Sequence, residues 1–384
     1  MNTWLRELIV LHFLNDGART TFIVLLPFIA KDLSIPLSLV GILGSSQNVM
    51  AMLLALPTGF IAGRVGGFRL VVMLLGLYAA SILGIAFFPY IAVVFLLYFL
   101  AAIGFGMFHP VGFIVTATFA KERAIGRAMG DFTAIGEIGR VALPPIMLFL
   151  TALLGWRLSM GFLGMVAFSC FLFFLIVMPR KDTHETPSQE SYKDFLRHIL
   201  ELFSNKRSIA IMLSGVLDNF ASTPVNIFLP FLLLAKGITP TQLSMIMGGY
   251  FICSLIGKSI LGRGVDRFGN KRVFVLSEWS MGAIVLLLTF ATQFWVLAVL
   301  ASLLGMFTRG TIPVIQTMFS ELAGKEHYHK VFAGTETLIH TAGVITTVSM
   351  GIVAEKFGIH SVFLFASIVA VAATLPLFTL RKVS

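Results

Sequence analysis

At 384 residues, 57% hydrophobic, 12% charged and with a mean hydropathy of +0.94, the chain lies far outside the composition of soluble globular proteins. One membrane span takes about 20 apolar residues, so this length holds twelve spans with short loops and no separate soluble catalytic domain. The net charge of +10 would point to nucleic acid if the cations clustered on a soluble face, but Lys and Arg sit between apolar runs and act as topology signals.

In chain order, the apolar segments predict spans over 5–30, 36–63, 70–88, 91–119, 127–154 and 157–178. The first apolar run contains Asp16 and Arg19 and ends without a small-residue cleavage site, so it reads as a span and not as a removable signal. A polar linker covers 179–206, and its middle, Tyr192 to Phe203, predicts an amphipathic helix at the membrane surface. Six further spans follow over 207–235, 241–263, 272–291, 294–320, 330–355 and 359–380. The expectation is an all-α membrane protein of twelve transmembrane helices in two pseudo-symmetric six-helix bundles, 1–178 and 207–384.

The distribution of cations gives a topology. Loops after even-numbered spans, with the C-terminus, hold 19 Lys and Arg, against four on the other side. Positive residues stay on the cytoplasmic face, so both termini and the linker are expected in the cytoplasm. Cys170 and Cys253 are single thiols inside apolar segments, which indicates neither a disulfide framework nor a metal site. No cofactor is expected.

The two halves repeat. Gly262 to Arg272 reads Gly-Arg-Gly-Val-Asp-Arg-Phe-Gly-Asn-Lys-Arg, and a weaker copy lies 203 residues earlier at Gly59 to Arg69. Gly59, Arg64, Gly66 and Arg69 fall on Gly262, Arg267, Gly269 and Arg272. Asp266 and Lys271 add charges to the second copy. Both copies read as tight, basic turns between two spans, where glycine allows chain reversal. Leu14-Asn15-Asp16 and Pro27 recur as Leu217-Asp218-Asn219 and Pro230, and Gly130 and Gly139 recur as Gly334 and Gly343. The doubled turn resembles the signature loop of the major facilitator superfamily, although Gly63 stands where that family has Asp. The resemblance implies alternating access of two halves about a midplane site, with the doubled turns as a cytoplasmic gate.

Ionisable side chains inside a bilayer are costly and mark candidate sites. Asp16 and Arg19 lie on one face of the first span within pairing distance, with His12 one turn before them. Glu137 and Arg140 repeat that spacing in the fifth span, with Asp131 nearer the cytoplasm. Asp218 and Arg309 sit near mid-span, and Glu336 and His340 lie one turn apart in the eleventh. Lys258 and Glu278 read as a structural or gating pair near the second signature turn. Two roles stand open for the acid–base pairs: helix-locking neutralisation, or exchange of partners during transport. In the second, a substrate anion captures the Arg, and the carboxylate loses the charge that keeps it ionised and takes up a proton. On that reading Asp16 is the first candidate proton carrier and Glu137 the second. Arg19, Arg140 and Arg309 offer forked donors to carboxylate, phosphate or phosphonate. Abundant Phe and Met suit an amphipathic drug equally well.

His109-Pro110 follows Gly104-Phe-Gly106-Met-Phe in the fourth span, joining a titratable ring to a helix-perturbing residue. With His12-Phe-Leu-Asn15-Asp16, Pro27, Gly136-x-x-Gly139 and Pro144-Pro145, it resembles the fosmidomycin-resistance group of facilitator exporters. That resemblance implies a proton-driven exporter of small molecules in a bacterial inner membrane, with His12, Asp16 and His109 at functional positions. Glu137 and Arg140 depart from the small residues expected there, and the fourth span carries no Arg between Tyr98 and Pro110. An importer or uniporter of a small anion, or a transporter-like sensor, is the alternative. Enzymatic motifs such as His-Glu-x-x-His and Gly-x-Ser-x-Gly are absent. The expected partners are a small-molecule substrate, protons and the lipid bilayer, without nucleic acid, for a chain acting as a monomer.

Overall fold

The computed structural model describes residues 3–119, 125–177, 206–308, 311, 314–315, 317–318 and 328–379, without the side chains of 3–6, 55–56, 117–119, 125–127 and 328–337. The linker with its surface helix, Arg309 and the side chain of Glu336 therefore lie outside the described residues. No strand occurs among the residues described.

Six helices form the first half: α1 Thr3–Asp32, α2 Leu37–Val65, α3 Gly67–Phe87, α4 Ile91–Phe119, α5 Ile125–Leu154 and α6 Trp156–Val177. Six more follow as α7 Lys206–Ala235, α8 Pro240–Phe268, α9 Asn270–Phe290, α10 Phe294–Thr308, α11 Tyr328–Phe357 and α12 Ile359–Ala372, with a last turn at Leu375–Phe378. Eleven of the described helices are long and apolar enough to cross a membrane, and α10 is a shorter apolar helix. Large apolar side chains such as Phe87, Ile176, Phe290 and Trp295 are exposed, as suits a surface solvated by hydrocarbon, where helices satisfy their own backbone groups.

By internal contacts the chain divides into two units, Met1–Pro36 with Leu43–Gln189, and Leu37–Ile42 with Glu190–Ser384. In the first unit α1 packs chiefly on α5, and α3 packs on α4 and α6. In the second, α7 packs on α11 and α12, and α9 on α10 and α12. The α1–α5, α3–α6 and α3–α4 contacts thus recur as α7–α11, α9–α12 and α9–α10.

Backbone geometry carries the same repeat. The described residues with positive φ form three pairs 203 positions apart: Ser34 and Gly237, Gly66 and Gly269, Gly155 and Gly358. This narrows the reading of the signature turns. Each was expected to be a tight turn between spans, over 64–69 and 264–271; α2 in fact runs to Val65 and α8 to Phe268, so one glycine makes each reversal. Gly66 (φ 97°) and Gly269 (φ 82°) take conformations open to glycine, and each closes the preceding helix by donating its N–H to Ala62 and Val265. Gly59, Arg64, Gly262, Asp266 and Arg267 are consequently helical, whereas Arg69, Lys271 and Arg272 open the next helix. Arg64 and Arg267 lie over the rings of Phe60 and Phe268. At the opposite end of α8, Thr239 and Gln242 form a reciprocal capping box, with Pro240 in the first helical turn.

Candidate functional site

The site is built where α1 and α5 come unusually close. A Cβ on Gly139 would lie 2.0 Å from the Phe13 carbonyl oxygen, and one on Gly17 would lie 2.8 Å from that of Gly139. Only glycine at these points lets the backbones approach. One turn earlier, a Cβ on Gly136 would meet the His12 ring at 2.4 Å, so this glycine vacates the volume the imidazole fills.

Asp16 is the hub. Its side chain is only 2% exposed, and it holds an ion pair with Arg140 Nη2 through Oδ2. Asn15 Nδ2 donates to Oδ1 at 3.1 Å, and His109 Nε2 lies 3.2 Å from the same oxygen. Arg140 also donates Nη1 to Glu137 Oε1 at 2.7 Å. One guanidinium thus bridges two carboxylates, one buried and one partly open: the side chains of Glu137 and Arg140 are 14% and 17% exposed, and that of His109 is 25%.

His12 is oriented by its surroundings. Its ring stacks on Phe132 with centroids 3.9 Å apart, and Nδ1 donates to the Phe132 carbonyl at 2.7 Å. A neutral imidazole with its proton on Nδ1 leaves a lone pair on Nε2. That atom faces His109 Nε2 at 3.2 Å and Asp16 Oδ2 at 3.4 Å. His109 therefore directs its Nε2–H toward both the His12 lone pair and Asp16. A proton arriving at His12 Nε2 would meet the Asp16 carboxylate at once. The cluster can accept a proton on a ring and stabilise it with a pre-placed counter-charge. Its three donor atoms lie within 4.8 Å of one another and have the composition of a two-histidine, one-carboxylate metal site. Arg140 already supplies a cation to that carboxylate, so a metal ion would have to displace it.

The structure gives one residue read from the sequence other partners. Arg19, expected within pairing distance of Asp16, donates Nε to Gln47 Oε1 at 2.9 Å, and Gln47 returns an amide bond to the Arg19 carbonyl at 3.2 Å. The cation that reaches Asp16 comes from α5, because the glycine contact there is closer than a helix turn along α1. Glu278, expected beside Lys258, is wholly buried, and neither of its carboxylate oxygens meets a hydrogen-bond donor among the described residues. Asp218 accepts from Thr311 Oγ1 at 3.1 Å. His340 is half-buried in α11. Arg309 and the Glu336 side chain lie outside the described residues.

Sequence reasoning passed over Gln47, the Phe132 carbonyl and a polar contact in which Tyr250 meets Asn226 and, at 2.8 Å, Thr308. Gln47 was detectable as an amide in an apolar span. The Phe132 carbonyl was not, since every residue has one.

The model of the Major Facilitator Superfamily matches residues 8–217 and 211–384, which together span nearly the whole chain. The chain belongs to the major facilitator superfamily. This facilitator is 23% identical over 376 residues to the multi-drug resistance efflux pump PmrA of Streptococcus pneumoniae serotype 4, covering 93% of this chain and 90% of that protein. It is also 23% identical over 303 residues to macrolide efflux protein A of Streptococcus pyogenes, covering 75% of this chain and 73% of the other. Among solved structures, the nucleoside transporter NupG superposes with a TM-score of 0.82 at 15% identity, covering all of both chains. At that identity the likeness establishes the fold. The protein is therefore a multi-pass membrane transporter with the facilitator fold, and not an enzyme.

Proposed function

We propose that this facilitator is a proton-coupled exporter, an antiporter working by alternating access on small anionic or amphipathic molecules such as drugs, phosphonates or carboxylate metabolites. The observation that carries this reading is Arg140 held between buried Asp16 and partly open Glu137. An anion entering beside Glu137 competes for the guanidinium. As Arg140 turns to the anion, Asp16 loses its cation and the cluster with His12 and His109 takes up a proton. Return of Arg140 to Asp16 expels that proton and weakens the hold on the anion. Opposite movements of proton and substrate follow from competition for one group.

The likeness to efflux proteins in two streptococci and the sequence pattern shared with fosmidomycin-resistance exporters support export as the direction. The distribution of Lys and Arg supports cytoplasmic termini in a bacterial inner membrane, and the chain is proposed to act as a monomer. Purified protein in liposomes loaded with a pH-sensitive dye, under an imposed proton gradient, tests the reading. Phosphonates, carboxylate-rich metabolites and amphipathic drugs are added one at a time. Substrate-dependent proton leakage is the expected result. A labelled substrate that crosses with no proton movement would overturn it.

A further inference from the structure

Three side chains of the site turn metal-ligating atoms toward one another. His12 Nε2 lies 3.2 Å from His109 Nε2. The Asp16 carboxylate lies 3.4 Å from the first through Oδ2 and 3.2 Å from the second through Oδ1. Zinc takes nitrogen and oxygen ligands at about 2.0–2.2 Å, which sets the ligand atoms of a tetrahedron about 3.3–3.6 Å apart. The donors of α1 and α4 already stand close to that spacing, so no helix has to move to gather them.

Their surroundings are also those of a ligand set. A ligating histidine normally donates its other ring N–H to a carbonyl or carboxylate, which fixes the tautomer and aims the free nitrogen. His12 Nδ1 donates in this way to the Phe132 carbonyl at 2.7 Å, and its ring is held by stacking on Phe132. Asn15 Nδ2 donates to Asp16 Oδ1 at 3.1 Å and steadies the carboxylate. His109 offers the way in, since its side chain is 25% exposed against 2% for His12 and Asp16. When it ligates through Nε2, its ring stays neutral with the proton on Nδ1. Arg140 is the group to be displaced, because its Nη2 pairs with Asp16 Oδ2. Its Nη1 donates to Glu137 Oε1 at 2.7 Å, so the guanidinium keeps a carboxylate partner when it releases Asp16. Two imidazoles and one carboxylate suit zinc and its first-row neighbours, whereas magnesium and calcium prefer oxygen ligands alone.

We propose that His12, Asp16 and His109 bind a divalent transition-metal ion of the zinc type, and that the bound ion blocks proton-driven transport by keeping Arg140 off Asp16. The block rests on the Arg140 exchange proposed above, whereas the site rests on the three donors alone. Cobalt(II) is the probe, because four-coordinate cobalt with nitrogen ligands absorbs visible light far more strongly than the hydrated ion. It is titrated into purified protein freed of any affinity tag, and zinc or magnesium is then added in competition. His109→Gln is the first variant, since that side chain is the most exposed of the three. Arg140→Gln is the second, because it leaves every donor in place and removes the competing cation.

The expected result is a saturable cobalt band in the wild type that zinc abolishes and magnesium does not. His109→Gln should weaken binding by more than the about 10–100-fold that losing an outer-shell partner costs, and Arg140→Gln should tighten it. In proteoliposomes, zinc on both sides should stop uphill transport driven by a proton gradient. No band in the wild type or in Arg140→Gln, or equal binding by wild type and His109→Gln, would overturn the site. Should His109→Gln fail to fold, Arg140→Gln decides: binding no tighter than that of the wild type overturns the site. A band in a wild type whose proton-driven transport zinc leaves intact would overturn the block. A band in a wild type that moves no substrate with protons would contradict the coupling reading and the block together. In both cases the band separates that failure from the absence of a metal site.

Discussion

Replacing Asp16 by Asn removes a charge but keeps an oxygen that accepts from His109, and Arg140 keeps Glu137 as its partner. Replacing Arg140 by Gln leaves the Asp16 carboxylate, 2% exposed, without its cation. Stranding a buried ion costs about 3–5 kcal/mol, far more than removing both partners together. Arg140→Gln is therefore expected to lower the unfolding temperature in detergent, and adding Asp16→Asn to recover most of the loss. A double variant no more stable than Arg140→Gln alone would mean that the pair does not carry this energy. Transport should separate the same way. Arg140→Gln should weaken an anionic substrate far more than a neutral drug, measured as the ratio of their apparent affinities; equal weakening would count against an anion site.

Between helices, small residues set the geometry. Gly136→Ala should push the His12 ring from its place against Phe132 and Phe108, with loss of proton coupling before loss of fold. Gly139→Leu should prise α1 from α5 and reduce folded yield, because even a Cβ there would overlap the Phe13 carbonyl. Gly66→Ala and Gly269→Ala place a side chain where φ is strongly positive, at a cost of roughly 1–3 kcal/mol each. Gly59→Ala and Gly262→Ala meet nothing within 4 Å and should leave thermal stability unchanged. Comparing the four variants by thermal unfolding checks whether the turn glycine or the whole signature segment is the constrained feature. The sequence made the helices and the repeat readable, since apolar runs and recurring glycines are local patterns. It made His12, Asp16, His109, Glu137 and Arg140 readable as candidates, since ionisable groups stand out in apolar runs. It could not supply the pairings. Arg140 reaches Asp16 from 124 positions away, whereas spacing along one helix favoured Arg19.

For the molecule as a whole, the duplication places a buried acid at closely corresponding positions in both units, Asp16 in α1 and Asp218 in α7. On the proposed exchange, the paired acid of the first unit responds to whatever competes for Arg140, and substrate and proton exclude one another there. The central claim is therefore that Asp16 couples the proton to the substrate without being required for substrate movement itself. The direct measurement takes wild type and Asp16→Asn in proteoliposomes, with one substrate identified by the dye panel. It compares uphill transport driven by a proton gradient with exchange of labelled for unlabelled substrate in the absence of any gradient. The account predicts that Asp16→Asn loses the driven transport and retains the exchange. Uphill transport by Asp16→Asn at the wild-type rate would contradict it and return the Asp16–Arg140 pair to a purely structural role.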